Sequence, residues 1–260
     1  MDLNLKDKVI IVSGGAKGIG AGIVKVLAAE GAIPIVVGRN EADNLKVVAE
    51  VEAGGGRSFQ IVAELTQPME CEKVVRITLK KWGRIDGLVN NAGVNDSVGL
   101  ENGNYQRFID SLHKNVVHYY LIAHHALPAL KASKGSIVNI SSKVAETGQG
   151  GTSAYAAANG ARNALTREWA VELLNDGIRV NSVIVAECYT PLYESWVKTL
   201  PNPKETLQAI IQKIPLGKRM TTIKEIADTA VFLISERSSH TTGQLIHVDG
   251  GYVHLDRAIS

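Results

Sequence analysis

The chain has 260 residues, 45% of them hydrophobic, which is enough apolar material for one compact domain with a large core. A formal charge of +2, from 28 basic and 26 acidic residues with no basic stripe, excludes nucleic acid as a natural partner. Cys71 and Cys188 lack metal-type spacing and suit a reducing compartment; residues 1–8 are polar and no apolar run approaches the roughly 18 residues that span a bilayer, so a cytoplasmic protein without membrane contact is expected.

In chain order, residues 9–12 read as a buried strand and 19–29 as a helix with Ile23, Val26 and Leu27 on one face. A second strand at 33–37 and a helix at 42–53 follow. Short strands at 58–62 and 87–90 flank a helix through Val74, Val75 and Leu79. A long helix is expected over about 105–130, interrupted late by Pro128, then a strand at 136–140. An alanine-rich helix at 152–175 precedes strands at 178–185 and 245–248. Continuous apolar strands alternating with helices predict a parallel sheet covered on both faces, and seven of them make a doubly wound α/β domain over residues 1–260. The least regular stretch, about 190–218, carries Pro191, Pro201, Pro203 and Pro215. It follows the end of a strand, where ligands bind in open sheets, and is expected to be a substrate lid.

Between the first strand and first helix lies Ser13-Gly14-Gly15-Ala16-Lys17-Gly18-Ile19-Gly20. Glycines let a backbone turn sharply and approach a pyrophosphate, and the helix start offers free N–H groups. This G-x-x-x-G-x-G spacing resembles that of the short-chain dehydrogenase/reductase family. Further strings resemble the family along essentially the whole chain: Asn90-Asn91-Ala92-Gly93, Asn115, the strand from Gly135 to Ser142, Gly177 to Asn181, and Val248 to Gly251.

The resemblance implies a Rossmann-type fold and a nicotinamide cofactor held by Gly14, Lys17, Gly18, Ile19, Gly20, Asn91, Ala92, Gly93 and Thr190, with Glu64-Leu65 beside the adenine. Gly38 stands where NAD-preferring members usually carry Asp; Arg39 follows and Lys17 is near, a pairing that suits a 2′-phosphate. NADP is therefore the expected cofactor, with NAD the alternative.

The resemblance also makes Tyr155 the general acid/base, Ser142 the group orienting the substrate oxygen, and Asn115 the residue that kinks the long helix and holds a water in the proton relay. The family's lysine, four residues after the tyrosine, is here Asn159. A free tyrosine with pKa about 10 is a poor base at neutral pH. A unit charge about 4 Å away at an effective dielectric near 20 is worth roughly 4 kcal/mol. Asn159 supplies no such charge, although its amide can bond a ribose hydroxyl. Three readings follow: an inactivating substitution, a tolerated variant with a lower rate and more alkaline optimum, or a non-catalytic NADP-binding protein.

Polar residues mark the variable segments: Asn95 and Asp96; Lys143, Glu146, Thr147 and Gln149; and Glu187 after Val185-Ala186. A polyhydroxylated substrate suits them, because each unpaired buried polar group costs roughly 1–3 kcal/mol. Asn90 to Asp96, Ser141 to Lys143, Thr147 to Gly150, Ala186-Glu187 with Thr190 to Tyr193, and Gly250 to Ala258 resemble the L-fucose dehydrogenase branch of the family. That resemblance implies hydride transfer from the anomeric carbon of an L-fucose-like aldose. Asn95, Ser142, Lys143, Gln149, Tyr155, Glu187 and Trp196 are then the candidate substrate contacts. A homotetramer is implied, with His254, Asp256 and Arg257 in a tail that closes a neighbouring site. A ketoacyl or steroid reductase is the competing reading and predicts a more apolar pocket. The remaining histidines, including His124 and His125, read as helix residues, and no metal site is expected.

Overall fold

The computed structural model describes residues 1–255, so the tail residues Asp256 and Arg257 lie outside the described residues. Seven strands form: β1 (Val9–Ser13), β2 (Ile33–Gly38), β3 (Phe59–Val62), β4 (Gly87–Asn90), β5 (Ser136–Ser142), β6 (Arg179–Val185) and β7 (Leu245–Val248). All pair in parallel, in the order β3-β2-β1-β4-β5-β6-β7. The expected doubly wound sheet is present. Alternate β1 residues explain its unbroken apolar run, since successive side chains point to opposite faces. Val9 and Ile11 enter one buried cluster with Tyr119, Ile122 and Trp169, whereas Ile10 and Val12 enter another with Ile23, Leu27 and Val231.

The helices are α1 (Gly18–Ala29), α2 (Glu41–Ala53), α3 (Pro68–Trp82), α4 (Tyr105–Leu112), α5 (His118–Ser133), α6 (Ser153–Glu172), α7 (Pro191–Val197), α8 (Pro203–Gln212) and α9 (Ile223–Ile234). Among the described residues no helix is long and apolar enough to cross a membrane. The single helix expected over 105–130 is instead α4 and α5 joined by a π-helical turn, His113–Val117. Such turns insert one residue into the ladder and concentrate at functional sites. Pro128 does not end α5, which runs on to Ser133; the lost hydrogen bond is tolerated because Leu130, beyond it, is fully buried in the core.

Two further differences concern the second half. The expected irregular lid contains α7 and α8, and its prolines start them: Pro191 and Pro203 sit in the first turns, where the missing N–H costs nothing. Helix α9 goes unread in the sequence pass, yet a capping box announces it. Thr222 accepts from Glu225 N at 3.2 Å and Glu225 returns a bond to Thr222 N at 2.8 Å. Its buried Ile226, Ala227, Ala230 and Val231 cover the same sheet face as α1.

Candidate active site

The sheet order reverses between β2-β1 and β4, and the glycine loop opens at that crevice. Gly14 has φ +64, a left-handed conformation that favours glycine, and a Cβ there would lie 2.9 Å from Ala92 Cα. At Gly20 a Cβ would meet Gly14 O at 2.1 Å. No side chain caps α1, whose first N–H groups face the loop. Thr190 Cβ lies 3.4 Å from where a Gly18 Cβ would stand, so the segment after β6 starts against the loop. A backbone cradle with an uncapped helix end fits a pyrophosphate.

Asn91 serves this cradle by bracing it. Its Nδ2 donates to Ser13 O at 3.0 Å and Gly14 O at 3.2 Å, while the Asn91 and Ala92 N–H groups donate to Ser13 Oγ at 2.9 and 3.1 Å. At the end of β2, a Cβ on Gly38 would meet Asn44 Oδ1 at 2.4 Å. Asn44 is fully buried and ties Gly38 O to β3 through Gln60, so a larger residue at 38 has to displace it. Lys17 and Arg39 are exposed beside this point. Each reaches an acid, Lys17 to Asp43 at 2.6 Å and Arg39 to Glu64 at 3.7 Å. Glu64 also accepts from Thr66 N at 3.2 Å, and Leu65 is buried in the core.

Ser142 ends β5, half-buried, and Tyr155 lies in the first turn of α6. Asn115 occupies the π turn, fully buried, with Oδ1 accepting from Val94 N at 2.8 Å and Nδ2 donating to Val94 O and Ser111 O at 2.9 Å each. Asn159 is also fully buried, and both ends of its amide are engaged. Nδ2 donates to Tyr155 O at 2.8 Å; Oδ1 accepts from Arg162 Nη1 at 2.9 Å.

Arg162 is the buried charged residue beside these side chains that the sequence reading does not single out. It stands seven residues after Tyr155 and three after Asn159, on one face of α6. Nε donates to Asn115 O at 2.7 Å and Nη1 to Ile140 O at 3.1 Å; Nη2 reaches Asn115 O and Ala92 O. The guanidinium lies 4.4 Å from the Tyr119 ring centre. Burial, assisted by this cation, pushes His118 down to about 3, against the pull of its bond to Lys114 O. Burial likewise drives Tyr119 upward, with Arg162 opposing. The signal in the sequence was an arginine on the inward face of an alanine-rich helix.

Beyond Ser142 the candidate substrate residues divide. Lys143 and Glu187 are both buried and form an ion pair. Tyr193 Oη donates to Glu187 at 2.6 Å, and Lys143 Nζ lies 4.1 Å from the Tyr252 ring centre. Burial, then the Glu187 charge, holds the Tyr193 phenol protonated far above the usual range. Trp196 packs edge-on against Tyr193, with centroids 5.1 Å apart, and is partly exposed. Asn95 is half-buried and accepts from Ser97 N at 3.1 Å, Gln149 is exposed, and Asp96 turns away to Ser111 and Lys114. Not every remaining histidine is helical as expected. His247 on β7 bonds Glu146 at 3.0 Å, and with His254 they place ligand atoms within 4.8 Å of one another, a grouping made across 101 residues that local spacing does not reveal.

A family model described as enoyl-(acyl carrier protein) reductase matches residues 14–253. The chain belongs to the short-chain dehydrogenase/reductase family. It is 36% identical to L-fucose dehydrogenase from Bos taurus over 245 residues, covering 94% of this chain and 88% of the relative. It is also 34% identical to 3-oxoacyl-[acyl-carrier-protein] reductase from Thermotoga maritima over 253 residues, covering 96% of this chain and 100% of that one. The crystal structure of Cj0485 dehydrogenase superposes with a TM-score of 0.95 at 48% identity, covering 100% of this chain and 99% of that chain. As a member of this family the protein is an NAD(P)-dependent oxidoreductase of the short-chain dehydrogenase type.

Proposed function

We propose that the protein oxidises the anomeric carbon of an L-fucose-like aldose to the lactone with NADP, acting as a homotetramer. The observation that carries this reading is the buried Lys143–Glu187–Tyr193 cluster immediately beyond Ser142. A steroid or acyl chain packed there adds no hydrogen bond to this desolvated polar cluster and keeps water from it. Sugar hydroxyls both donate and accept, so they can join it. The similarity to L-fucose dehydrogenases supports the same choice.

The nicotinamide, when bound, accepts the hydride released from C1. The chain's own residues do the rest. The Gly14–Gly20 backbone and the start of α1 hold the pyrophosphate, while Ser142 orients the C1 hydroxyl. Tyr155 takes the hydroxyl proton. Glu187, Lys143 and Tyr193 fix the ring hydroxyls, and Trp196 offers an apolar face to the sugar.

The test is hydride transfer followed at 340 nm with NADP⁺ or NAD⁺ and a panel of aldoses, beside NADPH with a 3-ketoacyl thioester. The expected result is reduction of cofactor by L-fucose and D-arabinose. Turnover of the thioester with none of the aldoses sinks the sugar reading.

The cofactor preference rests on Lys17 and Arg39, which flank a Gly38 that has no room for a carboxylate. Replacing both by Ala is expected to raise KM for NADP⁺ about 10–100-fold, the value of one or two charge-assisted hydrogen bonds, and to change KM for NAD⁺ less than about 3-fold. Equal shifts for the two cofactors, measured by initial rates, contradict 2′-phosphate recognition there.

A further inference from the structure

Arg162 is a buried guanidinium without a counter-ion. Among the described residues its partners are neutral oxygens, those of Ala92, Asn115, Ile140 and Asn159, and no carboxylate pairs with it. A desolvated charge in that state is costly to bury, and it favours any anion formed nearby. Tyr155 shares its helix face, two turns away, and Asn159 stands between them, its amide bonded to the backbone carbonyl of Tyr155 at one end and to the guanidinium at the other.

Other titratable groups surround this point, and most of them are paired with partners of their own. From α5 come His118, kept neutral by burial, and Tyr119, whose hydroxyl donates to Ile140 O at 3.1 Å. From the π turn come His113 and Lys114, the latter paired with Asp96; from α4, Asp110 accepts from Gln106. At the ends of β5 and β6, Lys143 and Glu187 neutralise each other, and Glu146 is taken by His247. The uncompensated charge on this face is that of Arg162.

We propose that Arg162 supplies the positive charge that position 159 lacks, acting one helical turn deeper on α6 to stabilise the phenolate of Tyr155, as a positioning residue for the reaction. The inference rests on Tyr155 being the acid/base of the proposed function. The substitution of lysine by asparagine and the buried arginine are then one device: Asn159 accepts from the guanidinium at the place where a lysine would repel it. The π turn contributes by presenting the Asn115 carbonyl to Arg162 Nε. This arrangement predicts a working enzyme, in which the charge behind the tyrosine has moved.

The experiment compares pH–rate profiles of the holoenzyme with Arg162→Gln, Arg162→Lys, the double variant Arg162→Gln/Asn159→Lys, and Tyr155→Phe. Positive charge favours the deprotonated phenol, so its removal moves the active limb toward alkaline pH. Arg162→Gln is expected to lose about 10–100-fold in kcat at pH 7, with KM for the cofactor changed less than about 3-fold, and to recover at high pH. Arg162→Lys keeps the charge but not the fork, and is expected to leave the limb where the parent has it. The double variant is expected to restore it.

A purely structural role predicts loss at every pH with no shift of the limb, and that outcome overturns the proposal. So does a folded double variant that fails to recover. Where Arg162→Gln does not fold, Arg162→Lys decides: a limb displaced as far as neutral tyrosine chemistry requires rules out a charge effect. If Tyr155→Phe is as active as the parent, the proposed function itself fails. A readout without substrate separates the two cases: the tyrosinate absorbance that Tyr155→Phe removes is titrated in parent and Arg162→Gln, and coincident curves refute the role of Arg162.

Discussion

Tyr155→Phe is expected to lower kcat by about 10²–10⁴-fold while leaving NADPH affinity within about 3-fold and the thermal midpoint within about 2 °C. Among the described residues the Tyr155 hydroxyl has no hydrogen-bond partner, so removing it breaks no hydrogen bond of the folded chain. The backbone role of the residue, its carbonyl accepting from Asn159, is unaffected by the change. A loss of rate with stability intact is therefore a loss of proton transfer. Steady-state kinetics, cofactor fluorescence titration and thermal unfolding on one preparation separate the three quantities. A variant that keeps more than about half the parent rate means that another group takes the proton, and Tyr155 loses its assignment.

Asn159→Lys, the change that superficially repairs the family pattern, is expected to harm this protein. The site is fully buried, and the Asn159 Oδ1 is 2.9 Å from Arg162 Nη1. A lysine there loses two hydrogen bonds and brings a second cation toward the guanidinium. At an effective dielectric near 20 and a separation of roughly 4–8 Å, two like charges repel by about 2–4 kcal/mol. In a domain of this size that corresponds to roughly 5–15 °C in the thermal midpoint. The same substitution in an Arg162→Gln background is expected to cost less than about 1 kcal/mol, because the repulsion is gone. The difference between backgrounds is the coupling energy of the pair, read from a double-mutant cycle of thermal or denaturant unfolding. Additive effects mean that the side chains at 159 and 162 do not compete, and the buried bond between them carries no energetic weight.

Much of the architecture could be read locally. Each strand is a short apolar run whose alternate residues serve two clusters, as Val9 with Ile11 and Ile10 with Val12 illustrate. The glycine loop is equally local, because the turn and the helix start are contiguous in sequence. The π turn at Asn115 was not legible in its own residues; only the family resemblance implied a kink of the long helix there. Nothing in His113–Val117 forbids a regular helix, and the wider turn is paired with an arginine 47 residues away. The proline-rich stretch at 190–218 looks irregular by composition, yet two of its prolines occupy helix-start positions.

The site follows the same division. Ser142, Tyr155 and the glycines were recognisable from types and spacing, which the chemistry constrains along the chain. At Asn159 the sequence alone indicated a missing charge and left open an inactivated enzyme, a slowed one or a non-catalytic binding protein. The sequence by itself determined the sheet and the glycine turn, and it singled out Tyr155 as the candidate acid/base, because strand periodicity, glycine turns and helix spacing act over a few residues. Only the tertiary structure decided where the positive charge lies and which polar residues converge. Arg162 gathers carbonyls from positions 92, 115 and 140, and Lys143 meets Glu187 across 44 residues. Burial and charge compensation are properties of the packed fold, set by which distant segments it presses together.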